Sequence, residues 1–147
     1  MDDLFDIDKP AHAMARTRLG TDLIAWLVTT TADGRPHPAP VWFFWHEGLI
    51  TILSEPDTLK VKHLQRGSQA VLHLDSGGPF GDEIVVVHGD TRLEPNAAAA
   101  WLERFREPFE AKYHAAIAAY GMPLEQFGET FSTRIDFTPT RLVAWGS

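Results

Sequence analysis

The chain has 147 residues, 44% of them hydrophobic, with five Trp and nine Phe, enough for one domain with a substantial core. Its formal net charge of −7 argues against a nucleic-acid partner, whose phosphates need a positive field. The absence of cysteine excludes disulfides, thiolate metal sites and thiol catalysis.

The opening segment MDDLFDIDKP lacks the basic and apolar regions of a signal peptide. No apolar run approaches the ~20 residues of a membrane span. The expectation is a single cytoplasmic domain over residues 1–147, with residues 1–10 as a loose acidic tail. Good helix formers over 11–19, closed by Gly20, predict a first helix. Residues 23–30 are β-rich, and Asp33-Gly34 signals a hairpin.

The return strand, residues 36–45, carries Pro36, Pro38 and Pro40. Each proline lacks the N–H of a ladder bond, so one side of this strand must face an edge, a bulge or a ligand. Glu47-Gly48 turns the chain into a third strand over 49–54. Asp57 or Thr58 then caps a helix running from Leu59 to about Arg66 and closed by Gly67.

A fourth strand is expected over 69–75, a glycine-rich flexible connection over 76–81, and a fifth strand over 83–93 with a bulge at Gly89. Asn96 is expected to cap a helix over 97–105, interrupted at Pro108 and resumed over 110–120. A helical turn over 124–127 precedes a sixth strand over 132–137, and residues 141–145 continue beyond Pro139 as an edge strand. Six or so antiparallel strands with interspersed helices predict a mainly β fold, a small barrel with peripheral helices.

Chemistry concentrates between Pro40 and Arg66. Val41 and Phe43 should point to one side of their strand, Trp42 and Phe44 to the other. Such aromatics could wall a flat ring or simply fill the core. Lys60, Lys62, His63 and Arg66 lie within seven residues with no acid among them. Helical geometry separates Lys60 from 59, 62, 63 and 66, so the cations do not form one patch. Lys60 sits near the helix start, where an anion is favoured, and Ser54 could donate a hydroxyl to the same anion. The alternative is an amphipathic helix with Leu59, His63 and Leu64 turned inward. The histidines show no metal-ligand spacing; His63 is the best functional candidate among them because it shares a helix with Lys60. No serine elbow, phosphate loop or paired acids stand out.

The run Ile24-Ala25-Trp26-Leu27-Val28-Thr29-Thr30, then Asp33-Gly34-Arg35-Pro36 and Pro40-Val41-Trp42-Phe43, resembles the pyridoxamine-phosphate-oxidase-like split β-barrel superfamily. The continuation Ser54…Thr58-Leu59-Lys60-Val61…Leu64 and the strand Ala70-Val71-Leu72-His73-Leu74 extend the likeness. Within that superfamily the chain looks most like the flavin/deazaflavin oxidoreductases that use coenzyme F420, a likeness that covers roughly residues 15–146.

The resemblance implies a six-stranded split-barrel homodimer with cofactor sites at the subunit interface. Pro40, Val41, Trp42 and Phe43 would line the ring, and Ser54, Thr58, Leu59 and Lys60 would hold the phosphate. The region 73–83 and the strand carrying Trp145 are candidates for closing the partner's site. The implied activity is hydride transfer between F420 and a small organic acceptor. FMN in the same groove and a non-enzymatic flavin or haem carrier are the alternatives. The chain departs from the family pattern at Leu59, where a basic residue is usual, and at His63, where Asn is usual. It also lacks the C-terminal substrate signature of the true pyridoxamine-phosphate oxidases.

Overall fold

The protein is described by a computed structural model covering residues 4–146. The order is α1 (Pro10–Thr21), β1 (Ile24–Thr30), β2 (Pro36–Trp42), β3 (Phe44–His46), β4 (Leu49–Ser54), α2 (Leu59–Gln65), β5 (Ala70–Leu74), β6 (Ile84–Glu94), α3 (Ala98–Tyr120), α4 (Leu124–Thr130) and β7 (Thr133–Trp145). All strand pairings are antiparallel, and the sheet runs β2-β1-β5-β6-β7-β4-β3. Its two edge strands, β2 and β3, are consecutive in the chain with only Phe43 between them. The sheet therefore curls until its edges meet at one residue, a half-barrel rather than an open plane.

The single strand expected over 36–45 breaks at Phe43, which is why seven strands stand where six were read. Helix α3 supplies the reason. The Phe43 N–H donates to the Tyr113 hydroxyl at 2.8 Å, and the Phe43 carbonyl accepts from Lys112 Nζ at 2.7 Å. The backbone at the break is thus satisfied by side chains instead of a neighbouring strand. The three prolines of β2 sit on a sheet edge, where a missing N–H leaves no neighbour unpaired. At the next turn Glu47 (φ 49°) and Gly48 (φ 79°) both take positive φ, the type I′ geometry that matches strand twist.

Two strands read as separate pieces at Pro139 are one. In β7 Pro139 faces Gly89 across a register shift at His88/Gly89 that leaves Thr140 as the extra residue. The Thr140 hydroxyl donates to the His88 carbonyl at 3.3 Å. Only residues up to Phe137 of β7 pair with β4, so the far half of β7 has one unpaired edge.

Helix α3 runs through Pro108 with a non-helical residue at Phe105 (φ −107°, ψ 17°), three residues before the ring that clashes with the preceding turn. Asn96 takes positive φ (56°) and Ala97 occupies the N-cap position with no side-chain cap, so the expected Asn96 cap is replaced by a left-handed entry. The Ala97 and Ala98 N–H groups instead donate to the Ser132 carbonyl at 3.0 and 3.2 Å. Within the expected acidic tail, residues 1–3 lie outside the described residues. Phe5 packs edge-on against Trp45 with ring centroids 5.7 Å apart. The loop over 76–81, expected to be flexible, is tied down by Arg18, which bonds the Asp75 carbonyl at 2.6 Å and the Glu83 carbonyl at 3.1 Å.

Two apolar clusters result. The first fills the half-barrel with Leu27, Val41, Phe43, Ile50, Ile52, Leu72, Val87, Ile135 and Phe137. The second gathers Phe44, Trp101, Leu102, Phe109, Tyr113, Leu124 and Phe127 under α3 and α4, with Trp42 packed against it. Alternation along one short segment feeds both: Val41 and Phe43 go to the barrel, Trp42 and Phe44 to the helices.

Candidate functional site

A cavity of about 400 Å³ opens at the seam between the clusters. The end of β2 gives Pro40, Val41 and Trp42, and the end of β4 gives Leu53 and Ser54. Glu55, Thr58 and Lys60 border it from the connection into α2 and that helix's first turn. Tyr120 from the end of α3, Phe127 from α4 and Phe131 just past its end complete the wall. The volume falls in the range of small-molecule sites.

Trp42 anchors the aromatic side. Its indole stacks on Tyr113 (4.6 Å, 8°) and Phe127 (5.5 Å, 18°) and meets Tyr120 edge-on at 6.3 Å. Packed on several sides, it presents a fixed surface to the cavity. Tyr113 is fully buried. Its hydroxyl accepts from the Phe43 N–H and lies 2.7 Å from the Leu23 carbonyl and 2.9 Å from that of Phe43. Burial pushes its pKa well above the ordinary tyrosine value. Lys112 lies with Nζ 3.8 Å above the Phe43 ring. Burial draws its pKa down to about 8, against the attraction of Asp22.

On the polar side Lys60 is half-buried. Burial holds its pKa below the ordinary lysine value, partly offset by the negative charge of Glu55. Among the described residues no ion pair reaches its ammonium. Ser54 is 1% exposed. Its hydroxyl donates to the Glu55 carbonyl at 2.8 Å and lies 3.1 Å from the Thr58 hydroxyl, which itself reaches the Glu55 carbonyl at 3.4 Å.

Of the nine residues singled out from the sequence, Pro40, Val41, Trp42, Ser54, Thr58 and Lys60 border this one cavity. The other three do not. Phe43 is buried in the half-barrel core, and Leu59 points to solvent at 56% exposed. Val61 and Leu64, not Leu59, form the inward apolar face of α2.

His63 is buried on the far side of α2. Its Nδ1 lies 2.9 Å from the Thr29 hydroxyl, and His37 meets its ring edge-on at 5.1 Å. Burial first, then Arg66 and His37, lower its pKa. Sequence reasoning missed Tyr120, Phe127 and Phe131. The one available signal was the i, i+4 spacing of Phe127 and Phe131, which on a continuous helix would put both on one face, although α4 ends at Thr130 and Phe131 follows it as the C-cap residue.

A flat heterocycle with an anionic tail fits these residues: the wall is aromatic, the volume suffices, and an unpaired ammonium stands at the polar side. Comparisons with known proteins agree with the fold. The chain superimposes on an F420 reductase with a TM-score of 0.64 at 17% identity, over 87% of this chain and 94% of that one. It superimposes on general stress protein 26 of Bacillus anthracis with a TM-score of 0.66 at 14% identity, over 90% and 92%. A FAD-binding protein of Mesorhizobium loti gives 0.64 at 14% identity, over 88% and 90%. Among curated proteins none matches in sequence. Among the described residues no helix is long and apolar enough to cross a membrane. A family model described as pyridoxamine 5′-phosphate oxidase matches residues 12–142, nearly the whole of the half-barrel and both helices of its aromatic wall, and the chain belongs to that family.

Proposed function

We propose that the protein is an oxidoreductase that binds a deazaflavin, coenzyme F420, in the cavity between β2, β4, α2 and α4. FMN is the nearest competitor for the same place. The observation that carries this reading is the pairing of a packed aromatic wall around Trp42 with the half-buried, unpaired ammonium of Lys60. When bound, such a cofactor supplies the hydride chemistry for a small organic acceptor. The chain's own part is to bind and orient. Trp42 offers an apolar border fixed by its stacking, Tyr120, Phe127 and Phe131 exclude water, and Lys60 neutralises anionic charge.

The site is proposed to be completed in a homodimer. Phe80 and Trp145, 90% and 66% exposed, and the unpaired edge of β7 offer apolar surface and backbone donors to a second copy. Light scattering during gel filtration tests this directly, with a monomeric mass refuting it.

The test of the cofactor reading is titration with F420 and FMN, each followed by ligand fluorescence and thermal shift, on wild type and Lys60→Ala. Loss of a hydrogen bond to a charged group costs about 1.5–3 kcal/mol, so affinity should fall roughly tenfold or more. No binding of either cofactor to wild type, or equal affinities for wild type and variant, would overturn the reading.

A further inference from the structure

The polar side of the cavity is poor in cationic side chains and in free hydroxyl donors. Among the described residues that line it, Lys60 is the single cation, and Glu55, also in the lining, carries a carboxylate close enough to act on the Lys60 charge. The two hydroxyls that could serve a phosphate are already engaged, because Ser54 donates to the Glu55 carbonyl and Thr58 shares that small network. Ser54 is also buried. One cation and one carboxylate leave a lining with no net charge.

A phosphomonoester carries close to two negative charges near neutral pH; a phosphodiester carries one. A dianion at this place doubles both the attraction to Lys60 and the repulsion from Glu55 that a monoanion meets. In a lining with no net charge the two offset each other, and the larger desolvation cost of the dianion is left uncompensated. We propose that the cavity selects a flat aromatic ligand whose phosphate is a diester, and that Glu55 is the residue that disfavours a monoester. This rests on the cofactor reading above and favours the phosphodiester of F420 over the phosphomonoester of FMN. Lys60 attracts either anion, and Glu55 cancels the extra attraction that a dianion would otherwise gain.

The test uses three ligands that share one ring: riboflavin, riboflavin 4′,5′-cyclic phosphate and FMN, with no, one and about two charges. Each is titrated at pH 7.5 and low salt, by flavin fluorescence, into wild type, Glu55→Gln and Lys60→Gln. The Glu55 side chain is exposed and among the described residues makes no ion pair, so Glu55→Gln should fold as wild type, which its thermal midpoint checks.

Wild type is expected to bind the cyclic phosphate more tightly than FMN. Glu55→Gln should leave riboflavin affinity unchanged and raise that for the cyclic phosphate about threefold, the scale of a screened surface charge. The gain for FMN should be the square of that, about ninefold. Lys60→Gln should weaken both anions and spare riboflavin. Tighter wild-type binding of FMN than of the cyclic phosphate, or equal gains for both in Glu55→Gln, would overturn the charge selection while leaving a flavin site standing. Binding of none of the three would overturn the flavin reading and this inference with it.

Discussion

Removing one oxygen atom from Tyr113 should loosen the joint on which the sheet closes. The Tyr113 hydroxyl accepts from the buried Phe43 N–H at 2.8 Å and has two carbonyls to donate to, Leu23 at 2.7 Å and Phe43 at 2.9 Å. In Tyr113→Phe the Phe43 carbonyl keeps Lys112 as partner, but the Phe43 N–H, on a residue 1% exposed, loses its acceptor. A buried donor left unsatisfied costs about 1–3 kcal/mol, and the lost Leu23 bond adds about 0.5–1.5. The expected loss is about 2–4 kcal/mol. For a domain near 150 residues each kcal/mol moves the thermal midpoint by about 3 °C, so a fall of roughly 6–12 °C should accompany it. Urea unfolding followed by tryptophan fluorescence gives the free energy, and Tyr120→Phe, on a tyrosine that is 54% exposed, is the control and should stay near zero. A loss below about 0.5 kcal/mol in Tyr113→Phe would mean that the Phe43 break is held by packing and Lys112 alone, and the hydrogen-bond account of the break would be wrong.

Other perturbations probe separate parts of the fold. In Gly89→Ala the new Cβ would stand 2.5 Å from both the Phe137 ring and the Thr138 carbonyl oxygen. Neither can move freely, so urea unfolding should register a loss of about 1–3 kcal/mol, and a neutral result would refute the close approach at the bulge. His63 has a folded pKa lowered by burial, Arg66 and His37. The unfolded chain therefore takes up this proton first, near the ordinary value of about 6.5. The stability lent by neutral His63 is present above that pH and drains as pH falls toward the folded pKa. The stability difference between wild type and His63→Gln should shift against wild type from pH 7 to pH 5; a shift the other way refutes the assignment. Lys112 has a folded pKa drawn down to about 8 from 10.5. Between those values the unfolded chain holds a proton the folded chain has shed, so stability from this residue is lowest below about pH 8 and rises toward 10.5. Denaturation at pH 7.5 and pH 10 should show wild type gaining on Lys112→Met, and a loss would refute it.

Local signals carried most of the secondary structure. Asp33-Gly34, Glu47-Gly48, Gly67 and the bulge at Gly89 are turn and bulge chemistry that depends on a few adjacent residues. What sequence patterning could not reveal lies in contacts made across the chain. The break at Phe43 is set by Lys112 and Tyr113, about seventy residues later, and nothing in the aromatic run itself announces it. Pro139 read as a strand end because its partner is not visible in one dimension; opposite Gly89, at a register shift, it costs the ladder little. The loop over 76–81 read as flexible because glycines are permissive, whereas Arg18 reaches over from α1 to hold both of its ends. Asn96 is a good N-cap by type, but its positive φ makes it the residue before the cap. In the candidate site, the β2, β4 and α2 positions that border the cavity were legible because they cluster in one stretch. The helical wall was not, because Tyr120, Phe127 and Phe131 acquire meaning only once α3 and α4 fold back over Trp42.

That arrangement assigns different tasks to neighbouring residues. Val41 and Phe43 commit the strand to the half-barrel, while Trp42 between them commits the same strand to the helices. The near wall of the cavity is therefore bound to the sheet and can change little without disturbing the closure at Phe43. The far wall hangs on α4, seven residues packed on α3 through Gly128, where an added Cβ would meet Leu102 at 3.2 Å and the Ala99 backbone at 3.3 Å. Tyr120 and Phe131 belong to the partly exposed rim, so they can vary in size and polarity at small cost in stability. On the proposed function, differences in ring or acceptor specificity should accordingly be sought in the helical wall, and the proposed anion contacts in the short segment from Ser54 to Lys60.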